Sequence, residues 1–153
     1  MNAEVTLARA ALDPAELLRA FTGQIDGQGA VVTFTGYARG KSRDGNSLDA
    51  LVLESYRGVT LASMEDIVAD AMARFDVSRC SVVHRAGRIA PGEAIVFVAT
   101  ASTHRRAAYE AADYLMDRLK TKAVFWKREE GPDGRRWIEP TGGDHADALR
   151  WGE

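Results

Sequence analysis

Residues 104–129 concentrate ionisable side chains that could bind an anion and move protons. Arg105 and Lys120 lie in a stretch with helical spacing of apolar residues, and Lys127 follows in a strand-like stretch. If the fold brings Lys120 and Lys127 together, their mutual repulsion lowers the pKa of at least one amine. Such a lysine can act as a general acid or base, or as a nucleophile toward an activated acyl group. The alternative is a pair of ordinary exposed lysines.

Helix geometry separates the two basic ends of this segment. At about 100° and about 1.5 Å per residue, Arg105, Met116 and Lys120 share one helix face, yet Arg105 lies about 22 Å along the axis from Lys120. That distance is too long for both residues to grip one small phosphorylated molecule. If both serve one ligand, the simplest arrangement places His104 and Arg105 of one subunit beside Lys120 of a second subunit in a two-fold dimer.

A second basic cluster lies in a glycine-rich loop over 36–46. Glycine lets the backbone approach a ligand closely, and the guanidinium of Arg39 can bind a phosphate through two donors. Three aromatic residues in predicted strands, Phe34, Phe125 and Trp126, could stack on a planar ligand. Strand aromatics more often belong to the core, so the core interpretation is preferred for these three.

The remaining reactive residues are scattered along the chain. The three histidines, His84, His104 and His145, do not cluster, and Cys80 is the single cysteine, so the sequence predicts neither a metal site nor an internal disulfide. Cys80 is interpreted as a small buried core residue, and His84 as a core histidine or one that supports a site residue. No glycine fingerprint of a nucleotide site is present.

Composition indicates an ordinary globular domain. The 153 residues are 46% hydrophobic and 27% charged, with a net charge of −2 that gives no overall attraction to nucleic acid. The longest apolar run, 94–101, is too short to span a bilayer, and the first twelve residues lack the apolar core of a secretion signal. We therefore expect a cytoplasmic protein, in agreement with its single cysteine.

The elements that position these groups are a mixture of helices and strands. Capping signals predict a helix over 13–23, and helical spacing predicts longer helices over 60–75 and 104–120, capped by Thr60 and by Ser102 or Thr103. Strand-like runs cover 30–35, 48–56, 80–86 and 94–101, and a late hairpin joins 123–128 to 135–139. We expect one α+β domain over 1–153, with a mixed or antiparallel sheet, a core over about 13–140 and a loose tail over 141–153.

Several of these segments together resemble the family of molybdopterin synthase catalytic (large) subunits. The resemblance covers about 21–140 and rests on His104-Arg105, DRLKT at 117–121 and FWKRE at 125–129, together with AVVTFTGYARG at 30–40, LVLESY at 51–56 and RRWIEP at 135–140. The family implies an α/β hammerhead fold and a homodimeric core within a heterotetramer. It also implies a small ubiquitin-like carrier, whose C-terminal Gly-Gly thiocarboxylate supplies sulfur to cyclic pyranopterin monophosphate to make the dithiolene of molybdopterin.

The resemblance further implies roles for individual residues of a sulfurtransferase that needs no metal and no cofactor. Lys120 and Lys127 match the family's essential lysines, which act in proton transfer and in polarising the thiocarboxylate or its acyl intermediates. Positions that match substrate and pocket contacts are Phe34, Tyr37, Ala38, Arg39, His104, Arg105, Met116, Arg128 and Glu129.

Three positions depart from the family pattern, and two other function classes stay open. Ser55 and Arg57 stand where His and Pro are common, which could alter carrier docking or dimer contacts, and Val124 replaces a common Pro ahead of Lys127. One alternative is a non-catalytic anion- or pterin-binding paralogue of the same fold, which the presence of both lysines argues against. The other is a small nucleic-acid-binding domain, which the pI of about 5.9 argues against.

Overall fold

The structure, a computed structural model, describes residues 2–152. In this part of the chain, eight strands and four helices form a mixed α+β fold with two four-stranded sheets, which confirms the predicted class. The strands are β1 (Ala3–Ala8), β2 (Ala30–Tyr37), β3 (Ala50–Ser55), β4 (Arg79–Arg85), β5 (Gly87–Ile89), β6 (Ala94–Ser102), β7 (Phe125–Gly131) and β8 (Gly134–Ile138). The helices are α1 (Pro14–Thr22), α2 (Val59–Arg74), α3 (Arg105–Thr121) and α4 (Gly142–Leu149).

The first sheet has helices on both faces. Its strand order is β1-β4-β6-β2, and all pairs are antiparallel except the parallel pair of β1 and β4. Because successive side chains of a strand point to opposite faces, Val82 joins the core under α2 and α3, whereas Val83 packs with Phe21 of α1. Fully buried Met64 and Leu115 anchor α2 and α3, and each such side chain stabilises the fold by about 1.5–3 kcal/mol.

The second sheet carries the late hairpin and is joined to the first by a short crossing of the chain. Its order is β5-β3-β7-β8, with every pair antiparallel. After β4 ends at Arg85, Gly87 takes a φ of +96°, which favours glycine, and leads the chain into β5. Gly87 pairs with Leu53, and Leu53 pairs with Lys127, so the crossing lies two strands from the site lysine.

Three elements were not predicted, namely β1, the three-residue strand β5 and α4. The N-terminal residues form β1, whose parallel pairing with β4 requires a partner about 75 residues away along the chain. The expected loose tail was wrong, because Thr141 caps α4 through a reciprocal pair of hydrogen bonds with Asp144. Arg150 and Trp151 then bind Asp117, which holds α4 against α3.

Two predicted helix caps were also wrong. Gly58 precedes α2 without a side-chain cap, while the Thr60 hydroxyl accepts from the Tyr56 amide and donates to the Val124 carbonyl. His104 occupies the cap position of α3, also without a side-chain cap. No helix between residues 2 and 152 is long and apolar enough to cross a membrane.

Candidate functional site

Lys120 and Lys127 lie close together where α3 ends and β7 begins. Lys120 is exposed in the last turn of α3, and Lys127 is half-buried on β7, opposite Leu53 and Ile138. Burial, which is the largest cause, and the positive charge of Lys120 together lower the pKa of Lys127 to about 8, while the carboxylate of Asp144 opposes the shift. Lys127 is therefore not the ordinary exposed lysine of the alternative interpretation.

Two titratable residues from other elements surround the lysine pair. His84 is buried with its ring stacked on Phe125 at 4.4 Å between centroids, and its Nδ1 lies 2.9 Å from the Arg85 carbonyl oxygen. Burial, together with the charges of Lys127 and Lys120, lowers the pKa of His84 to about 4, so the ring is neutral at physiological pH. This environment agrees with the interpretation of His84 as a core or supporting residue.

Asp144 of α4 is the counter-charge of the pair, and sequence reasoning missed it. Partial burial favours its protonated form, but hydrogen bonds from Thr141 and the charges of Lys120 and Lys127 hold its pKa below the ordinary value. Its carboxylate therefore stays ionised and offsets part of the lysine repulsion. The Thr-x-x-Asp spacing is a capping signal that could have identified α4, although not its contact with the lysines.

Arg39 lies at the same end of the first sheet as the lysines. Val96 of β6 pairs with Gly36 of β2 on one side and with His84 of β4 on the other. His84 lies near both lysines, since their charges lower its pKa, so the end of β2 lies on the side of the sheet where the lysines are. A register shift follows Gly36, where a Cβ would lie 3.1 Å from Val96, and β2 then opens into residues 38–40, named here the Arg39 loop. Ala38 of this loop is buried and Arg39 is exposed.

His104 and Arg105 lie at the opposite end of the sheet. Both are exposed next to Ser102, which pairs with Ala30 at the start of β2, and the eight residues of β2 span about 23 Å. With Arg106 they line a depression of about 430 Å³ at the start of α3, where free helix amides favour an anion. One chain therefore does not bring His104 and Arg105 to the Lys120–Lys127 pair.

The remaining predicted pocket residues are divided between the two faces of β7. Glu129 lies on the Lys127 side of the strand but binds Arg136 at 3.2 Å. Arg128 points to the other side, where it binds Glu54 at 2.9 Å and Glu130 at 2.8 Å, and lies over the Trp137 ring. Met116 packs against the main core. In the single chain, Arg128 and Met116 are thus engaged outside the lysine pair.

The preferred core interpretation holds for one of the three aromatic residues. Phe125 is partly buried against His84 and the core, as expected. It was wrong for Phe34 and Trp126, which are 43% and 51% exposed. Tyr37 is also exposed, near the end of β2, the edge strand that leads into the Arg39 loop.

Cys80 is fully buried in the main core, as predicted. Burial raises the pKa of its thiol to about 12, which keeps the sulfur protonated and unreactive. Within residues 2–152, no three His, Cys, Asp or Glu side chains are grouped in a way that could hold a metal ion.

Comparison with known proteins shows the family to which this chain belongs. The model of the family described as MoaE protein matches residues 7–122. The chain belongs to the MoaE family. A molybdopterin synthase catalytic subunit from Caulobacter vibrioides is 52% identical over 147 residues, which are 96% of this chain and 96% of that relative.

Solved MoaE-like structures share the same architecture. The molybdopterin biosynthesis MoaE protein from Burkholderia ambifaria superimposes with a TM-score of 0.82 at 36% identity, covering 99% of each chain. A chain from the complex of subunits 1 and 2 of the molybdopterin-converting factor of Helicobacter pylori superimposes with a TM-score of 0.72 over 90% of each chain. Its 21% identity shows the shared fold alone.

Two departures from the MoaE pattern have local partners in this chain. The Ser55 hydroxyl accepts from Arg9 at 3.0 Å. The Val124 amide, which a proline would lack, donates to the Ser63 hydroxyl at 3.1 Å, so α2 holds the approach to Lys127. Arg57 is exposed, and nothing in the structure explains its replacement of proline.

Proposed function

We propose that this MoaE protein transfers sulfur from the C-terminal thiocarboxylate of a small ubiquitin-like carrier to cyclic pyranopterin monophosphate, forming the dithiolene of molybdopterin. The observation that supports this function best is the Lys120–Lys127 pair, with the pKa of Lys127 lowered to about 8, at the same end of the sheet as Arg39. Family membership and the similarity to named catalytic subunits agree with it.

The lysine pair fits an anionic carrier tail and proton transfer at neutral pH. The charged amines attract the thiocarboxylate, whose sulfur bonds to the pterin. They can then polarise the acyl carbonyl as water adds to its carbon and the carbon–sulfur bond breaks, which releases the carrier with a carboxylate end. At pH 7 a lysine with a pKa of about 8 is neutral in roughly a tenth of the molecules, so Lys127 can also accept a proton. Sulfur comes from the carrier, which agrees with the burial of Cys80.

A homodimer would complete the substrate site. Arg39 offers a guanidinium to the substrate phosphate, and His104 and Arg105, remote from the lysines of their own chain, would reach the lysine pair of a second subunit. With one carrier on each catalytic subunit, the assembly is a heterotetramer. We place this assembly in the cytoplasm, where the single cysteine stays reduced.

Substitution of each lysine tests the catalytic proposal. We expect Lys120→Ala and Lys127→Ala to lose at least about a hundredfold in molybdopterin formation, because each removes a group used in proton transfer or polarisation. The assay mixes the protein with thiocarboxylated carrier and cyclic pyranopterin monophosphate. Lys122→Ala, which removes an exposed amine from the same end of α3, is the control and should remain active.

Circular dichroism and thermal unfolding establish whether the variants keep the fold. Wild-type protein that binds pterin but gives no product with a competent carrier would contradict the enzyme and favour the non-catalytic paralogue. Full activity of folded Lys127→Ala would contradict the role of the lysine pair.

Mixed dimers test whether two subunits share a site. Arg105→Ala and Lys120→Ala chains should each be inactive alone, since every site then lacks one residue. After unfolding and refolding together, half of the dimers contain both chains, and one of their two sites is intact, so about a quarter of wild-type activity should return. Activity that stays at the level of the separate variants would show that one chain supplies both residues.

A further inference from the structure

The buried guanidinium of Arg85 joins the two sheets at the crossing from β4 to β5. Arg85 is the last residue of β4 and is 8% exposed. Its Nη1 donates to Glu93 Oε1 at 3.1 Å, and its Nη2 donates to the Arg88 carbonyl at 3.1 Å. Because Arg88 belongs to β5, one side chain of the first sheet binds the backbone of the second sheet and the turn that follows it.

Glu93 extends this contact to the Arg39 loop. Its carboxylate also accepts from the Ala90 amide at 2.8 Å, which fixes the turn over 90–93. The Ala38 amide donates to the Glu93 carbonyl at 2.9 Å, and the Gly92 amide donates to the Ala38 carbonyl at 2.8 Å. Both backbone groups of the residue before Arg39 are therefore bound to the turn that Arg85 holds.

Stability alone does not explain a buried arginine at this position. The buried guanidinium of Arg85 has lost hydration energy that an apolar side chain would not lose, and its bonds to two different elements fit a role in fixing geometry. Among residues 2–152, the buried Nε of Arg85 has no hydrogen-bond partner, which adds to that cost. Its other two nitrogens bind elements that lead to Arg39 and, through Gly87 and Leu53, to Lys127.

We propose that Arg85 is a positioning residue for substrate binding, whose ion pair with Glu93 sets the place of the Arg39 loop relative to the strand that carries Lys127. The inference rests on the proposed function of Arg39 as a phosphate contact. Arg85 touches no substrate itself. Its loss should weaken the binding of cyclic pyranopterin monophosphate and leave the chemistry at the lysines nearly unchanged.

The kinetic test separates KM from kcat. With thiocarboxylated carrier held at saturation, Arg85→Met should raise KM for cyclic pyranopterin monophosphate by about tenfold and change kcat by less than about threefold. Glu93→Gln should act in the same direction, and the double variant should be no worse than the more affected single variant, because the two residues act as one unit. Arg88→Met, which removes an exposed side chain of β5 next to this turn, should leave KM unchanged.

Two outcomes of the kinetics would overturn the inference. One is an unchanged KM in folded Arg85→Met, and the other is an equal fall of kcat in Arg85→Met and Arg88→Met. If Arg85→Met does not fold, Glu93→Gln decides the question, since the half-exposed Glu93 lies on a surface turn.

A measurement without substrate distinguishes this inference from the proposed function. In Arg85→Met and Glu93→Gln, the amides of Ala38 and Gly92 should exchange with solvent at least about tenfold faster, while the amides of Val82 and Val98 keep their protection. Unchanged exchange at Ala38 would overturn the positioning role. An unchanged KM in Arg39→Ala, with faster exchange at Ala38 in Arg85→Met, would instead overturn the phosphate assignment of Arg39.

Discussion

The amine of Lys127 lies on a strand whose inward face also carries core residues, so its charge has lost part of its hydration. Lys120, near the end of α3, adds a second positive charge, and Asp144 of α4 adds a negative one. Three elements therefore determine the pKa of one amine. This allows the pKa to be moved by changing neighbours that need not contact the substrate.

The pH dependence of turnover should report this arrangement. If neutral Lys127 accepts a proton, kcat/KM should rise with pH through a midpoint near 8. Asp144→Asn should lower the midpoint, because the carboxylate favours the charged amine, while asparagine keeps an acceptor for the Thr141 amide. The measurement is the pH–rate profile from pH 6 to 10, with Asp147→Asn on the exposed side of α4 as the control. A midpoint that rises or stays fixed in Asp144→Asn would contradict the electrostatic account.

Sequence spacing raised the possibility that Lys120 and Lys127 lie close together, and they do, because residues near one another in sequence often keep their local relation in the fold. Spacing could not reveal that Arg128 points away from Lys127, since alternation along a strand fixes only opposite faces and not which face is inward. Nor could it reveal His84 or Asp144, whose closeness to the lysines depends on how separate elements pack.

Among the elements, α4 owes its position to side chains beyond its own end. The Trp151 ring packs edge-on against Phe75 and Tyr114, with centroids 5.6 and 5.4 Å away, and its Nε1 donates to Asp117 at 2.7 Å. The short helix has few apolar residues, so its periodicity gave no signal. The strand β1 escaped prediction because its three inward residues form too short a pattern without knowledge of β4.

Loss of the Trp151 ring should loosen α4 from α3. We expect Trp151→Ala to lower the free energy of unfolding by about 2–4 kcal/mol, through lost aromatic packing and the hydrogen bond to Asp117. It should also lower the midpoint of the pH–rate profile, because Asp144 is then held less firmly beside the lysines. Urea denaturation and the pH–rate profile measure the two effects. Leu149→Ala, 64% exposed, should change neither, and an unmoved midpoint in folded Trp151→Ala would separate α4 from the site.

For the whole molecule, the lowered pKa of Lys127 is a cost in stability. The pKa of a lysine is 10.5 when unperturbed and falls to about 8 here, so the folded protein binds fewer protons than the unfolded chain between these values. The free energy of unfolding therefore rises with pH across that window. Below pH 8 the amine is charged in both states, and its partial burial destabilises the fold by the full amount. The fold therefore loses some stability by keeping Lys127 half-buried.

Replacement by an apolar side chain should show this trade. Lys127→Met should be more stable than wild type by about 1–3 kcal/mol at pH 7, with the difference shrinking toward pH 10, and it should lose activity. Urea denaturation at pH 7 and 9.5 gives the comparison, with exposed Lys122→Met as the control. If Lys127→Met were no more stable than wild type at pH 7, the half-buried charge of Lys127 would not destabilise the fold.

The burial of Cys80 has a practical consequence for following sulfur through the assembly. The chain has one thiol, and the core shields it while keeping it protonated. A thiol-reactive label added to the native complex therefore finds nothing to modify on the catalytic subunit. Under the proposed function, and with a carrier that has no cysteine of its own, any label taken up then reports sulfur outside this chain, so sulfur transfer can be followed without first replacing Cys80.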